Sequence, residues 1–145
     1  MRIKDTIIEI ARNNNWPYQD KDNLIKIDAE GEKGNWQTFC KCLEDEKRFA
    51  YYSLCPSIVP KENISLMAEV LTRINYGLKV GNFEMDYDTG EIHFKTYVDF
   101  HSDEIPTEAL AQCMYINILT FDQYFQTLLK FIHSTSRDEE SIRKL

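Results

Sequence analysis

Two of the four cysteines stand close enough in sequence to suggest a metal site. Cys40 and Cys42 flank a single lysine, and in a β-strand this spacing places both thiols on the same side. A structural zinc ion needs four ligands in tetrahedral geometry, and its usual cysteine pair has two intervening residues. Only Cys55, Cys113 and three scattered histidines remain to complete a set. We therefore interpret the thiols as reduced side chains and predict neither a metal nor a cofactor.

The acidic segment at residues 86–91 looks like the start of a calcium-binding loop. Such a loop needs glycine at its sixth position and a bidentate glutamate at its twelfth, and these positions hold Glu91 and Tyr97. Both requirements fail. A hairpin turn built on Asp88-Thr89-Gly90 explains the same residues.

Histidine titrates near neutral pH, which makes His93 and His101 the candidates for acid–base catalysis. His93 lies between Glu91 and Lys95 on the polar side of a predicted strand, where a solvated side chain is the ordinary outcome. The chain has no nucleophile elbow, no phosphate-binding glycine loop and no dinucleotide-binding motif. The sequence therefore predicts no catalytic residues and no enzyme.

Length and charge restrict the possible partners. A chain of 145 residues is expected to form one domain, residues 1–145. Its net charge of −7 opposes binding to phosphate backbones, so nucleic acid is not an expected partner. No apolar stretch approaches the roughly 20 residues of a membrane helix, and the amphipathic N-terminus lacks the apolar core of a signal peptide. We expect a cytoplasmic protein that does not bind membranes.

Hydrophobic periodicity predicts the elements that position these residues. The clearest signal is at residues 75–100, where two alternating segments around Asp88-Thr89-Gly90 are typical of a β-hairpin with one buried face. Gly77 is expected to end the preceding helix in a left-handed conformation. Three shorter strands are predicted at residues 24–29, 35–44 and 49–55. Helical spacing predicts an N-terminal helix, a second helix from Pro60 and a long third helix from Pro106.

The resulting order, α-β-β-β-α-β-β-α, predicts an α+β fold with a five-stranded antiparallel sheet packed with helices. A break at residues 136–140 indicates a short terminal helix. The long helix carries apolar residues outside its main stripe, and a single sheet covers only one side of a helix. This surplus predicts a homodimer. The residues concerned are Cys113, Ile116, Leu119, Tyr124 and Phe131.

The hairpin and its flanks resemble the YbjN-domain family, also called bacterial sensory transduction regulators, and the cyanobacterial members most of all. The resemblance rests on residues 75–77, 81–86 and 90–96, with weaker support from Gly34-Asn35-Trp36 and Asp122-Gln123-Tyr124. It implies a fold similar to type III secretion chaperones, which are small, acidic, homodimeric and non-enzymatic. Gln126-Thr127 stand where many relatives have Pro-Gly, so we expect the last helix to run straighter.

The first three predicted strands suggest where a partner binds, because both of their faces carry aromatic residues. A sheet covered by helices on one face alone would leave one of these sets exposed, and exposed aromatic clusters usually mark contact sites. The alternative is that loops or a helix cover both faces. Because the sequence does not decide which set faces outward, both are candidates for the partner or dimer surface. The candidate protein-binding residues are Trp36, Phe39, Phe49, Tyr51 and Tyr52.

These observations predict a non-enzymatic protein-binding regulator or chaperone-like adaptor that acts as a homodimer. The alternative is a small-molecule or metal-sensing regulatory domain. An enzyme whose site is assembled only by the fold is the third and least favoured class.

Overall fold

Three helices cover one face of a single antiparallel sheet in the computed structural model, which describes residues 2–22 and 24–145. The helices are α1 (Ile3–Asn13), α2 (Ile64–Gly77) and α3 (Thr107–Ile132), and a short α4 (Glu139–Arg143) follows; a 3-10 turn at Lys61–Asn63 precedes α2. The strands are β1 (Tyr18–Lys21), β2 (Leu24–Glu30), β3 (Asn35–Leu43), β4 (Arg48–Leu54), β5 (Asn82–Met85) and β6 (Ile92–Asp99).

The sheet has the order β1-β2-β3-β4-β6-β5, and every neighbouring pair is antiparallel. Strands β1 to β4 follow one another through short turns, and β6 then lies beside β4 with β5 at the outer edge. In this register Phe39 of β3 is directly opposite Tyr52 of β4, and Tyr52 is directly opposite Lys95 of β6. Residues opposite each other share a face of the sheet, so the register decides which side chains meet.

The α+β class and the antiparallel sheet are confirmed, but the predicted number of five strands is wrong. The sixth strand is β1, which pairs with β2 along its whole length. Its sequence, Tyr-Gln-Asp-Lys, has no apolar alternation because it is an edge strand whose last three side chains are exposed. Periodicity detects strands that bury one face, and β1 buries almost nothing.

Glycine conformations follow a different pattern from the one predicted. Gly77 is the last helical residue of α2 and does not have a positive φ, so its predicted left-handed conformation is wrong. The left-handed glycines are Gly81, with φ of 78°, and Gly90, with φ of 77°. Gly90 ends the turn between β5 and β6, where a Cβ atom would lie 2.4 Å from the Val59 carbonyl oxygen. Only glycine fits this position.

The core consists of two apolar clusters, and α3 contributes to both. The first cluster packs α2 and the C-terminal half of α3 against β5 and β6, with Phe94 and Phe121 fully buried. The second packs α1 and the first turns of α3 against β2, β3 and β4, with Ile7 and Phe49 fully buried. A helix of 26 residues is about 39 Å long, which lets α3 cross both clusters without a break.

A buried polar network holds α3 in register with the sheet. The Asn117 side chain is inaccessible to solvent and donates to the carbonyl oxygens of Tyr51 at 3.0 Å and Phe94 at 3.1 Å. Its own Oδ1 accepts from Ser53 Oγ at 2.6 Å, and Ser53 Oγ in turn accepts from Trp36 Nε1 at 2.9 Å. Buried polar groups are costly unless they are paired, so this network allows one rotation of α3 over β4 and β6.

Among the described residues, none of the helices is both long and apolar enough to cross a membrane.

Candidate protein-binding surface

The five aromatic residues predicted to bind a partner lie on two different faces of the sheet. Trp36, Phe49 and Tyr51 face the helices and are at most 4% exposed. Phe39 and Tyr52 lie on the opposite face and are half-buried. The prediction left open which set faces outward; α1 and α3 cover the side that carries Trp36, Phe49 and Tyr51, so Phe39 and Tyr52 remain as candidates.

We call the face that carries Phe39 and Tyr52 the open face, since no helix of the described chain packs on it. The two rings are stacked, with centroids 4.5 Å apart and planes 10° from parallel. The Lys41 Nζ atom lies 5.5 Å from the Tyr52 ring centroid, which is a cation–π distance. On the other side of Tyr52, the His93 ring makes an edge contact at 4.9 Å. Tyr52 is thus the centre of an ordered group of four side chains.

The open face continues beyond this group as an apolar and basic surface. Ala50 and Leu43 lie beside Lys41, and Tyr97, which is 63% exposed, lies next to Ala50 on β6. These residues border a shallow depression of ≈ 490 Å³. Sequence reasoning missed Lys41, Leu43 and Tyr97. Lys41 and Leu43 lie two and four positions from Phe39, and Tyr97 is opposite Ala50, which is itself opposite Lys41. The alternation along β3 is visible in the sequence, but it locates these neighbours on one surface only when the pairing register of the strands is known.

A small ion-pair network borders the aromatic group. Glu84 on β5 contacts His93 Nε2 at 2.7 Å and accepts from Lys95 Nζ at 3.0 Å. Burial acts to raise the pKa of Glu84, but the hydrogen bonds to His93 and Lys95 outweigh it and lower the pKa overall. Glu84 is therefore a carboxylate at neutral pH that pairs with the Lys95 ammonium group. The carboxylate, the imidazole and the ammonium group thus satisfy one another within the sheet.

The cysteines lie away from this surface. Cys40 and Cys42 share one side of β3, as their spacing predicts, and that side faces the helices. Burial raises the pKa of the Cys42 thiol to about 12 and that of Cys113 to about 11. All four thiols are free. In residues 2–22 and 24–145, no group of three or more His, Cys, Asp or Glu side chains is placed to hold a metal ion.

The outer edge of the sheet at β5 is closed by a side chain. Asn75, near the end of α2, donates from Nδ2 to the Phe83 carbonyl oxygen at 3.0 Å and accepts from the Phe83 N–H at 2.8 Å. This amide occupies the positions that an added strand would use. It gives a physical reason for Asn75 within the segment that resembles the YbjN-domain family, because an edge that is already hydrogen-bonded does not pair with another strand.

A second exposed apolar area lies on the outer side of α3. Leu119 is 70% exposed and Tyr115 is 40% exposed. The Trp16 ring makes an edge contact with Tyr115, with centroids 5.7 Å apart. Of the apolar residues that predicted a dimer, Cys113 and Phe131 are buried, Ile116 and Tyr124 are half-buried, and Leu119 is the most exposed.

Comparison with solved structures identifies the class of fold as the α+β fold of type III chaperone-like proteins. The chain is similar to YbjN from E. coli, a proposed transcription regulator, with a TM-score of 0.62 and 11% identity over 83% of this chain and 86% of that one. It is also similar to a chain of the HopA1–SchA chaperone–effector complex, with a TM-score of 0.51 and 15% identity over 86% and 92%. No protein-family model and no curated protein matches the sequence.

Proposed function

We propose that this chain is a non-enzymatic protein-binding domain, a regulator or chaperone-like adaptor, that binds its partner on the open face. The observation that carries the proposal is the half-buried Phe39–Tyr52 stack, which lies on a sheet face without helices. Aromatic side chains bring large contact area at small entropic cost, and such clusters on soluble proteins usually serve as contact sites. Residues 1–145 act as one domain, and the four free thiols suit a reducing cytoplasm.

The similar structures support this proposal at the level of fold. One belongs to a chaperone–effector complex and the other is a proposed transcription regulator. On the likeness in fold to YbjN, we propose that the chain is a member of the YbjN-domain family, of the cyanobacterial type. The small-molecule or metal-sensing alternative has less support, because the polar network around Glu84 is paired internally and points to no bound ion.

Site-specific crosslinking in the cell of origin tests the location. A photoreactive phenylalanine analogue at position 52 is expected to crosslink a protein partner, and the same analogue at position 76, where Tyr76 is 94% exposed on α2, is not. The crosslink at position 52 should be lost when Phe39 is replaced by Ser. Equal crosslinking from both positions would contradict the proposal.

We also propose that the homodimer forms through the outer side of α3. Leu119 lies at the midpoint of α3, and Glu108 and Lys130 lie 11 residues before and after it. Eleven residues are close to three helical turns, so the three side chains form one line along the helix. A two-fold axis through Leu119 therefore places Glu108 of each copy beside Lys130 of the other. The symmetry supplies two ion pairs around an apolar centre, which is an isologous contact.

The exposure and charge pairing of Glu108 and Lys130 agree with the proposed dimer contact. Glu108 and Lys130 are both exposed, and neither has an opposite charge within ion-pair distance in the described chain. Lys130 Nζ donates to Ser141 Oγ at 2.9 Å, a bond that it can keep or exchange for a carboxylate. Light scattering should give twice 17.1 kDa for the parent at micromolar concentration and 17.1 kDa for Leu119→Glu.

Charge exchange gives the sharper test of the symmetry. Glu108→Lys and Lys130→Glu should each weaken the dimer, and the double variant should restore it, since both ion pairs are then re-formed in reverse. Tyr76→Glu on α2 is the matched surface control and should leave the dimer unchanged. A parent protein that is monomeric at all accessible concentrations would exclude the dimer.

A further inference from the structure

We infer that the partner segment bound on the open face is acidic: an extended stretch of protein with carboxylates on one side of an apolar or aromatic anchor. This inference rests on the proposed function and adds the chemistry of the partner. It follows from where the lysines of the sheet lie and from which of them are unpaired.

Two cross-strand rows of side chains make up the centre of the open face. In the first row, Lys26 is opposite Phe39, Phe39 is opposite Tyr52, and Tyr52 is opposite Lys95. In the second row, the residues in order across the sheet are Lys21, Leu24, Lys41, Ala50 and Tyr97. The two rows together contain four lysines and no carboxylate. Within these two rows the apolar and aromatic centre has only lysines as charged neighbours, and Asp28, Glu84 and Asp99 lie in the adjoining rows.

Three of the four lysines have no partner of opposite charge. Lys21, Lys26 and Lys41 have no carboxylate within 4.0 Å in the described chain, whereas Lys95 is paired with Glu84. Basic residues elsewhere in the described chain do have carboxylate partners. Lys4 on α1, for example, pairs with Asp20 at 2.7 Å. Lys41 is in addition held over the Tyr52 ring. Unpaired, partly ordered cations beside an apolar surface form a site for carboxylates.

The rest of the molecule has the opposite charge. The open face carries five Lys or Arg side chains against four carboxylates, and the whole chain carries 17 against 24. On this face the carboxylates stand at its margins, at Asp28, Glu30, Glu84 and Asp99. An acidic partner is therefore repelled by most of the surface and attracted at these two rows, which favours one docking position.

The spacing sets the order of residues in the partner. Lys21, Lys26 and Lys41 lie on β1, β2 and β3, and Tyr52 lies on β4. Neighbouring strands are about 4.8 Å apart, so Lys21 is about 14 Å from Tyr52 across the sheet. An extended chain covers that distance in about four residues. The segment should therefore have its carboxylates within about four residues of the anchor, all on the same side of it.

A protein segment fits these features better than a nucleic acid or a lipid surface. A phosphate polymer presents a dense row of charges that would also meet the acidic margins of the face, and the net charge of −7 opposes its approach. A membrane is also a poorer fit, because the two rows offer only four lysines to attract its anionic head groups. A peptide can place a few carboxylates over the lysines and one apolar side chain over the Phe39–Tyr52 stack.

Selection from an unbiased display library of random peptides of about 16 residues tests the inference. The parent protein should enrich peptides of net negative charge with an aromatic or large aliphatic residue. The Lys26→Glu/Lys41→Glu variant should bind the enriched peptides at least about tenfold more weakly and should itself enrich basic peptides. The control Lys61→Glu/Lys79→Glu changes the net charge equally at two exposed lysines outside the strands and should bind as the parent does.

The outcomes separate this inference from the proposed function. Peptides that need Phe39 and Tyr52 but show no excess of acidic residues would overturn the inference and leave the proposed function standing. Peptides whose binding is unaffected by Phe39→Ser/Tyr52→Ser, or a failure to enrich any, would overturn both. Tighter binding of oligothymidylate or of phosphatidylglycerol vesicles to the open face would overturn the assignment to a protein segment. Circular dichroism of each variant verifies that the fold is intact.

Discussion

The Phe39 and Tyr52 rings stack 4.5 Å apart on the face of the sheet that no helix of the described chain covers. Stacked rings on neighbouring strands stabilise a sheet, but when a helix covers them they are also part of the core. Here Trp36 of β3 and Tyr51 of β4 fill the core on the other face of the same two strands. The stack is therefore free to contact another molecule, and its two residues can be changed without emptying the core.

The first prediction concerns the difference between the two faces. Tyr51→Ala should lower the free energy of unfolding by about 3–5 kcal/mol, because it empties a fully buried site and removes the hydrogen bond from Tyr51 Oη to Thr38 Oγ1. Tyr52→Ala, one residue later, should lower it by only about 1 kcal/mol. Urea denaturation measures both. Equal losses would mean that the two faces are buried alike.

A second prediction tests the network that aligns α3. Asn117→Ala removes the partner of Ser53 and of two strand carbonyl groups, and should lower the free energy of unfolding by about 2–4 kcal/mol. Ser65→Ala, on the exposed side of α2, is the control and should change stability by less than about 0.5 kcal/mol. A loss below 1 kcal/mol for Asn117→Ala would show that α3 is positioned by apolar packing alone.

Two glycines should respond to alanine in opposite directions. Gly90 has a positive φ, and an added Cβ atom would lie 2.4 Å from the Val59 carbonyl oxygen, so Gly90→Ala should destabilise the protein by at least about 1–2 kcal/mol. Gly77 is helical and has open space around it, so Gly77→Ala should stabilise by about 0.5–1 kcal/mol. Thermal unfolding of the two variants should show melting temperatures on either side of the parent's.

The fourth prediction is that no cysteine is needed for folding or for metal binding. Because burial raises the pKa of the Cys42 thiol to about 12 and of Cys113 to about 11, both are neutral at pH 8 and should react with a disulfide reagent far more slowly than free cysteine does. Rising pH should speed the reaction only as these pKa values are approached. In urea all four thiols should react rapidly.

A variant with all four cysteines replaced by alanine completes this test. It should fold in the presence of a chelator, with a loss of a few kcal/mol from the buried positions Cys40, Cys42 and Cys113. Elemental analysis of the purified parent should find no stoichiometric zinc. Unfolding of the parent on metal removal would contradict the assignment of the thiols as structural.

Much of the fold is readable from the sequence because its strands alternate in composition. Residues 92–99 read as a half-buried strand from their period of two, and β6 (Ile92–Asp99) is that strand. The predicted strands at residues 24–29, 35–44 and 49–55 agree with β2, β3 and β4 to within about a residue at each end. Strand β1 was missed, since a short exposed edge strand buries too little to leave a pattern.

The candidate site could be predicted only as two alternatives. Alternation divides β3 into the side of Trp36 and Cys40 and the side of Phe39 and Leu43, and it divides β4 in the same way at Tyr51 and Tyr52. Both sides are aromatic, so composition cannot rank them. The lysines Lys26 and Lys41 have no special signal in the sequence, because their relation to Tyr52 depends on strands that pair across turns.

The sequence by itself determined the class of fold, the positions of the main strands and helices and the two sets of side chains on each strand, because these depend on local periodicity and turn residues. The tertiary structure decided which set is buried. That choice depends on long-range contacts: α3, far along the chain, packs over β4 and β6, and Asn117 bonds to their carbonyl groups. Packing all three long helices on one face leaves the other to solvent, and only this arrangement turns Phe39, Lys41 and Tyr52 from three strand residues into one surface.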